Sequence, residues 1–320
     1  MSALQLKPST DSDLNRIEEL FAQHKFKDYQ LHQLDIPKST MVAWLTRNLS
    51  KQEIYTWYLR ESGKLQGIIS AKPQSWISEM LEVNAVSLLH LLAENQDFLR
   101  LNELLRIFLD QYHDFDFMDC RVASGDINAI HTLEESGFHF MGNEAYLVLN
   151  MKHYSAPQLE NLSMCRRCPE HLWPQVLELS RQVHIHNRYM NDPHINREMV
   201  RKVYSGYISE FGGIEPYRTI IYEEDNLVTG FVLYKWNHGL SRFVGHNYAS
   251  LDFIGVDPNA RCRGIGHLLN TAALNDLAAN GADHVVVRTL GNNFPAIRIL
   301  SKSGFEISSL DCHFHYWNTS

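Results

Sequence analysis

Between positions 257 and 267 the chain reads Asp257-Pro-Asn-Ala-Arg261-Cys-Arg263-Gly264-Ile265-Gly266-His267 and runs straight into an apolar helical pattern, Leu268–Asn280. Glycines at a strand-to-helix turn let backbone N–H groups approach a ligand closely, at the positive end of a helix. Arg261 and Arg263 add charge, so the loop suits an anion, above all a pyrophosphate; the blander alternative is a plain turn. It is not a P-loop, which needs Gly-Lys-Ser/Thr, nor a Rossmann loop, which needs a third glycine and a later acidic residue. Just upstream, alternation along a strand places Ser250, Asp252, Ile254 and Val256 on one face. A second polar cluster reads His184-Ile-His186-Asn-Arg188-Tyr189-Met-Asn-Asp192-Pro193-His194. Its three histidines invite zinc, but neither H-E-x-x-H nor a carboxylate triad accompanies them. His313 and His315 alternate onto one face, as a ligand pair, a catalytic histidine or the lining of a polar pocket would. Cys165-Arg-Arg-Cys168 has the spacing of a zinc or redox knuckle but lacks a second C-x-x-C, which favours two reduced thiols. No metal is expected.

The elements that must position these groups occur twice. Asp116–Leu147 aligns with Asp283–Phe314 at a constant offset of 167, without a gap. Identities fall at Arg121/Arg288, Ala129/Ala296, Ile130/Ile297, Leu133/Leu300, Ser136/Ser303, Gly137/Gly304 and Phe138/Phe305. Each copy reads as a strand, a polar turn, a helix stopped by glycine, then two more strands ending near Asn150 or Trp317. Upstream, each half offers two helical patterns and two strands around a tight turn, Glu61-Ser-Gly63 in one and Glu223-Glu-Asp-Asn226 in the other. A fourth strand follows, Met80–Val86 in the first half and Tyr248–Val256 in the second. The place of the glycine loop is taken in the first half by Leu88–Leu105, which contains no glycine. The expected fold is therefore α/β: two tandem units with mixed, mostly antiparallel sheets, residues 1–155 degenerate and residues 156–320 active, joined through Met151–Cys168.

Val256-x-Pro258-x-x-Arg261-x-x-Gly264-x-Gly266 resembles the acyl-CoA loop of the GNAT acyltransferase superfamily. Asn293-x-x-Ala296-x-x-x-Leu300-x-Lys302-x-Gly304-Phe305 resembles that superfamily's next signature, in the right order and at the right separation. The resemblance covers Tyr217 to Trp317. It implies that the N–H groups of Gly264, Ile265, Gly266 and His267, with Arg261 and Arg263, hold the CoA pyrophosphate. It implies that the strand through Ile254 and Val256 pairs with the pantetheine arm, and that Asn293 touches that arm. It also implies that Asp252 is the general base, the alternative being an aspartate that caps a turn or pairs with an arginine. Many members place a thiolate-protonating tyrosine where this chain has Leu300. Tyr316, His313 or His315 then replaces it, or the thiolate leaves without an acid, or the chain only binds CoA. The acceptor site, on the same resemblance, is formed by His186, Arg188, Tyr189 and Asp192, with His313 and His315, and suits a polyhydroxylated or phosphorylated amine. The Asn-Arg-Tyr…Asp-Pro string and the paired halves are similar to nucleotide-sugar N-acyltransferases of the dTDP-fucosamine acetyltransferase type. That implies an acyl-CoA donor, acetyl-CoA or a larger one such as 3-hydroxybutyryl-CoA, and a dTDP-linked aminodeoxyhexose destined for surface polysaccharide such as lipopolysaccharide. Another small amine or a protein N-terminus stays open as the acceptor.

Composition bounds the rest. Of 320 residues, 44% are hydrophobic and 21% charged, which excludes extensive disorder and collagen-like or coiled-coil architecture. A net charge of −8 argues against nucleic-acid or anionic-membrane partners, though it permits a local basic pocket. The longest apolar stretch, Val86–Ala93, is too short to span a bilayer, and the N-terminus lacks a basic start followed by an apolar block. A cytoplasmic monomer with pseudo-twofold halves is the expectation.

Overall fold

Two α/β units make up the structure, a computed structural model that describes residues 3–5, 11–24, 36–51, 53–183, 187–211 and 214–318. One unit comprises Met1–Asn143 with Ser309–Ser320, the other Glu144–Ser308. In the first, strands β1 (Ala3–Gln5), β2 (Tyr55–Glu61), β3 (Lys64–Pro73), β4 (Ala85–Ala93) and β5 (Phe117–Ala123) pair in that order. Helices α1 (Asp11–Gln23), α2 (Lys38–Leu49), α3 (Ser75–Leu81), α4 (Phe98–Gln111) and α5 (Ile127–Glu135) accompany them.

The second unit begins inside β6 (His139–Asn150) and continues with β7 (Cys165–Arg167), α6 (Trp173–Val183), α7 (Arg197–Phe211), β8 (Tyr217–Glu224) and β9 (Leu227–Trp236). After α8 (His238–Val244) come β10 (Tyr248–Val256), α9 (Ile265–Ala279), β11 (His284–Leu290), α10 (Phe294–Lys302) and β12 (Glu306–Trp317). Its sheet has the order β6-β11-β10-β9-β8-β7, and only the β10–β11 pair is parallel among those described.

Period-2 burial explains this sheet. Ile220, Tyr222, Val232 and Tyr234 enter one core, with Leu268, Leu269, Leu274 and Leu277 of α9. Their neighbours Ile221, Phe231 and Leu233 enter the core on the opposite face, with Val176 and Leu179 of α6 and Ile208 of α7. Helix α9 is anchored by Asp276, which accepts from the buried Tyr234 hydroxyl at 2.7 Å, from Arg218 at 3.2 Å and from Arg167 at 3.3 Å. Replacing it by alanine leaves the buried Tyr234 hydroxyl without its acceptor and removes a partner of Arg218, which keeps Glu215 at 3.5 Å, and of the largely exposed Arg167. Asp276→Ala should destabilise the second unit by about 1–3 kcal/mol, read as a lower urea midpoint by circular dichroism.

The duplication survives residue for residue in the later elements: α5 and α10, β5 and β11, and β6 and β12 all stand 167 apart. Three expectations are corrected. Met80 and Leu81 belong to helix α3, which Glu82 ends in a left-handed C-cap at φ 57°, so the fourth strand is Ala85–Ala93. The place of the glycine loop in the first unit is therefore the short turn Glu94–Asp97, ahead of a helix that starts only at Phe98. After each glycine-stopped helix runs a single strand of twelve residues, not two.

The units also differ from consecutive stretches 1–155 and 156–320. Strand β6 closes the second unit's sheet, pairing Glu144–Asn150 with Leu290–His284, while β12 pairs Asp311–Trp317 with Ala123–Phe117 in the first. Each copy's last strand completes the other unit's sheet. Periodicity in a sequence locates copies, and says nothing of where a copy's last strand pairs.

Candidate active site

Strands β10 and β11 run parallel from Tyr248–His284 to Leu251–Val287 and pair no further. Each stays bound to its outer neighbour, β10 to β9 as far as Val256–Gly230 and β11 to β6 as far as Leu290–Glu144. They part because β10 carries a bulge: Leu251 opposes Tyr234 and Phe253 opposes Leu233, so Asp252 is the extra residue. A cavity of about 710 Å³ opens there, wholly within the second unit and lined by Leu251–Val256, Val287–Leu290, the glycine loop and α10. The bulge overturns the expected single face. Ile254 and Val256 turn to the α9 core, while Ser250 and Asp252 belong with Lys235 and Tyr207.

At the far end of the open edge, Asp257 accepts from the Asn259 amide at 2.7 Å and Gly264 caps α9 at φ 81°. Such a φ strains any side chain. At Gly266 the constraint is space instead: a Cβ there would lie 3.0 Å from Ile299 Cδ1, which would have to give by a few tenths of an ångström. The Ile265 and Gly266 amides open α9 and point out of its positive end, whereas the His267 amide, also expected to face the anion, donates to the Gly264 carbonyl at 2.9 Å. Arg261, Gly264, Ile265, Gly266, His267 and Asn293 all line the cavity. Arg263 does not, because it pairs with Glu224 at 2.7 Å. Among the described residues the wall carries five basic side chains, Arg188, Arg261, Arg288, Arg298 and Lys302, against Glu144 and Asp252. In a chain of net charge −8 that local excess fits a polyanion. Loop, helix terminus and open strand edge together fit a CoA-type ligand.

Asp252 sits at the near end, mostly buried. Ser250 donates to its Oδ1 at 2.8 Å; Lys235 and Tyr207 donate to Oδ2 at 2.9 and 3.2 Å. Tyr217, Lys235 and Ser250 stand in register on β8, β9 and β10. Lys235 also donates to Tyr207 and Tyr217, whose hydroxyls lie 2.8 Å apart. Burial works to lower the Lys235 pKa, but Asp252 and Tyr217 outweigh it and the ammonium is held above its usual value. Burial, and then Asp252, push the Tyr207 phenol well up. Asp252 is thus paired with a lysine where an arginine was the alternative. A second ion pair, Glu144–Arg288 at 3.2 Å, lines the same cavity, with Arg288 stacked 4.5 Å from the Tyr146 ring.

Among the acceptor-site expectations, Arg188 lines the cavity, stacked 4.5 Å above the Tyr189 ring and donating to its hydroxyl at 2.8 Å. Tyr189 and Asp192 are buried and do not line it; Asp192 accepts from the His194 amide at 2.9 Å and shapes the turn. Their hydrogen-bonding capacity serves the loop rather than the cavity wall. His186 lies outside the described residues. His313 and His315 belong to the first unit, buried opposite Arg121 and Asp119, and do not line the cavity. Tyr316 packs on Phe138 in that unit. Leu300 lines the cavity wall, which has no tyrosine among the described residues. Sequence reading missed Lys235, Tyr207, Tyr217, Glu144, Arg288 and Asn187. A lone lysine within the otherwise apolar stretch Phe231–Trp236, and an arginine repeated at Arg121/Arg288, were the signals available. Burial pushes the Cys165 and Cys168 thiols up to about 11, which keeps them protonated. Among the described residues no helix is long and apolar enough to cross a membrane, and no group of three or more His, Cys, Asp or Glu could hold a metal.

The first unit shows what the same frame does without a loop. Its β4–β5 pairing also stops early, at Leu88–Cys120, and the bulge residue equivalent to Asp252 is Leu89. Gln96 turns back to accept from the Ala93 amide at 3.0 Å and donates to Asp126 at 2.9 Å. Asp126, the counterpart of Asn293, is 3.1 Å from the buried His24. Of that strand edge, the Ala93 amide at its end is thus satisfied by a side chain of the turn.

Residues 180–305 match the family described as Acetyltransferase (GNAT) family. The spore coat polysaccharide biosynthesis protein SpsD of Bacillus subtilis (strain 168) is 24% identical over 267 residues, 81% of this chain and 86% of that protein. A GCN5-related N-acetyltransferase structure from Sphaerobacter thermophilus superposes with a TM-score of 0.62 over 99% of this chain and 95% of that one, at 11% identity. A tandem GNAT protein from the clavulanic acid biosynthesis pathway superposes over 100% of both chains with a TM-score of 0.54, at 15% identity.

Proposed function

From the premise that residues 180–305 belong to the GNAT acetyltransferase family and make the chain an acyl-CoA-dependent N-acyltransferase, we propose that it acylates the amino group of a dTDP-linked aminodeoxyhexose for a surface polysaccharide. The observation that carries this is the parted strand pair, with an anion cradle at one end and Asp252 at the other. Asp252–Val256 spans about 16 Å at roughly 3.3 Å per residue, and the edge from which β11 has parted suits an amide-bearing pantetheine arm. With the pyrophosphate on the α9 terminus and Arg261, the thioester comes to lie at the bulge. There a neutral amine adds to the carbonyl, Asp252 takes its proton, and N–H groups freed by the bulge stabilise the oxyanion. The thiolate leaves without a tyrosine in the wall to protonate it.

The acceptor reading draws on two observations. SpsD carries polysaccharide biosynthesis in its name, and Arg188 stands in the wall beside Asn187, a cation braced on Tyr189 where a nucleotide diphosphate can meet it. Arg188→Gln should raise KM for the nucleotide sugar about 10-fold, the worth of one charge-assisted contact. KM for acyl-CoA should not change. The decisive experiment is thiol release from acetyl-CoA and larger acyl-CoAs with dTDP-amino sugars, set beside polyamines and peptide N-termini. Turnover confined to the latter two would overturn the acceptor. The protein is taken to work as a cytoplasmic monomer, which sedimentation at its 37.0 kDa mass would check.

A further inference from the structure

Asp252 does not face the cavity alone: behind it lie Lys235, Tyr207 and Tyr217, which the reaction as stated so far leaves unused. We infer that Tyr207 and Tyr217, braced by Lys235, form a proton exit from Asp252 away from the substrate cavity. The inference rests on the reading of Asp252 as base. When the amine nitrogen bonds to the thioester carbon, its N–H electron pair stays on nitrogen and the proton moves to Asp252. A protonated Asp252 no longer balances Lys235, and an uncompensated cation in a mostly buried cluster is costly. Lys235 cannot take the proton, since Asp252 and Tyr217 hold it as an ammonium against the effect of burial. The cavity is then filled by CoA and acceptor.

The remaining neighbours on Oδ2 lead elsewhere. Tyr207 is 3.2 Å from Oδ2, and Tyr217 is 2.8 Å from Tyr207. Lys235 donates to both phenol oxygens, at 3.2 and 3.0 Å, and so directs their own hydrogens away from itself. The transfer balances as a relay. Once Asp252 is protonated, the Tyr207 hydroxyl turns from Oδ2, to which it donates at rest, toward Tyr217; the Asp252 O–H proton goes to the Tyr207 oxygen, the Tyr207 proton to the Tyr217 oxygen, and the Tyr217 proton to water reached from this partly exposed residue. Both phenols are regenerated, and solvent gains the proton the amine lost. Ser250, which donates to the other oxygen, is the remaining polar contact and orients the carboxylate. Tyr207, Tyr217 and Lys235 are positioning residues; none is required to touch substrate.

The test uses Tyr207→Phe and Tyr217→Phe in the full chain, with acetyl-CoA and the best amine acceptor. Each phenol-to-phenyl change should lower kcat about 10-fold, less than the roughly 10²–10⁴-fold of a group that takes the amine's proton itself, with KM for acyl-CoA unchanged. Imidazole added at rising concentration should restore most of the loss, because a small buffer can carry the stranded proton. Asp252→Asn should lose activity that imidazole does not restore to the same degree. Full activity in both phenylalanine variants, or a loss that tracks a lowered melting temperature and ignores imidazole, would overturn the relay while leaving the base in place. An Asp252→Asn protein as fast as the wild type would remove the base, and the relay with it.

Discussion

Asp252→Asn should reduce kcat by about 10²–10⁴-fold, the range that a positioned general base contributes, while calorimetric affinity for CoA stays within about twofold. The substitution is nearly isosteric. Asparagine's carbonyl oxygen can still accept from Lys235 and Tyr207, so the bulge and the open edge of β10 keep their shape. What is lost is the capacity to take a proton from the amine and the negative charge beside Lys235. Loss of that ion pair will cost some stability, so a melting curve belongs beside the kinetics; a folded protein at the assay temperature isolates the chemical effect. If turnover survives, Asp252 is a structural partner of Lys235, and Glu144, the other carboxylate of the wall among the described residues, inherits the question.

Gly266→Trp should abolish CoA binding, raising Kd by more than about 100-fold, or roughly 2.7 kcal/mol and upwards. The wild type should bind one CoA per chain. Even a Cβ at 266 sits 3.0 Å from Ile299 Cδ1, and an indole must occupy the space between the loop and α10 that the ligand needs. The stoichiometry of one follows from the first unit having the short turn Glu94–Asp97 in place of the glycine loop, a turn closed by Gln96 on the Ala93 amide. Arg261→Gln removes charge without bulk, and a milder loss there that shrinks as salt rises would tie the effect to the anion, because screening removes the wild type's advantage.

Much of this site was legible because its chemistry is local. The loop from Arg261 to Gly266 and the helix start at Asn293 are short contiguous signals, and both line one cavity. The register of the repeat likewise followed from identities at fixed offset. Errors arose where a residue's role depends on what lies across the sheet. Alternation could not foresee an extra residue at Asp252, since a bulge is set by the pairing of two strands. Met80 and Leu81 read equally well as strand or as the inward face of a short helix. His313 and His315 looked like wall residues of the active copy because they lie near it in sequence, but their strand pairs with β5. Lys235, Tyr207 and Tyr217 come from three elements and share no motif.

The exchange of last strands ties the two copies of the repeat together. The first copy has a short turn where the second has the glycine loop, and Leu89 where the second has Asp252. Its last strand nevertheless serves the other unit: Glu144–Asn150 is the outer rail on which β11 lies along its whole length, and it also supplies a carboxylate to the cavity wall. Expressed apart, either copy would lack a strand that its sheet has in the full chain.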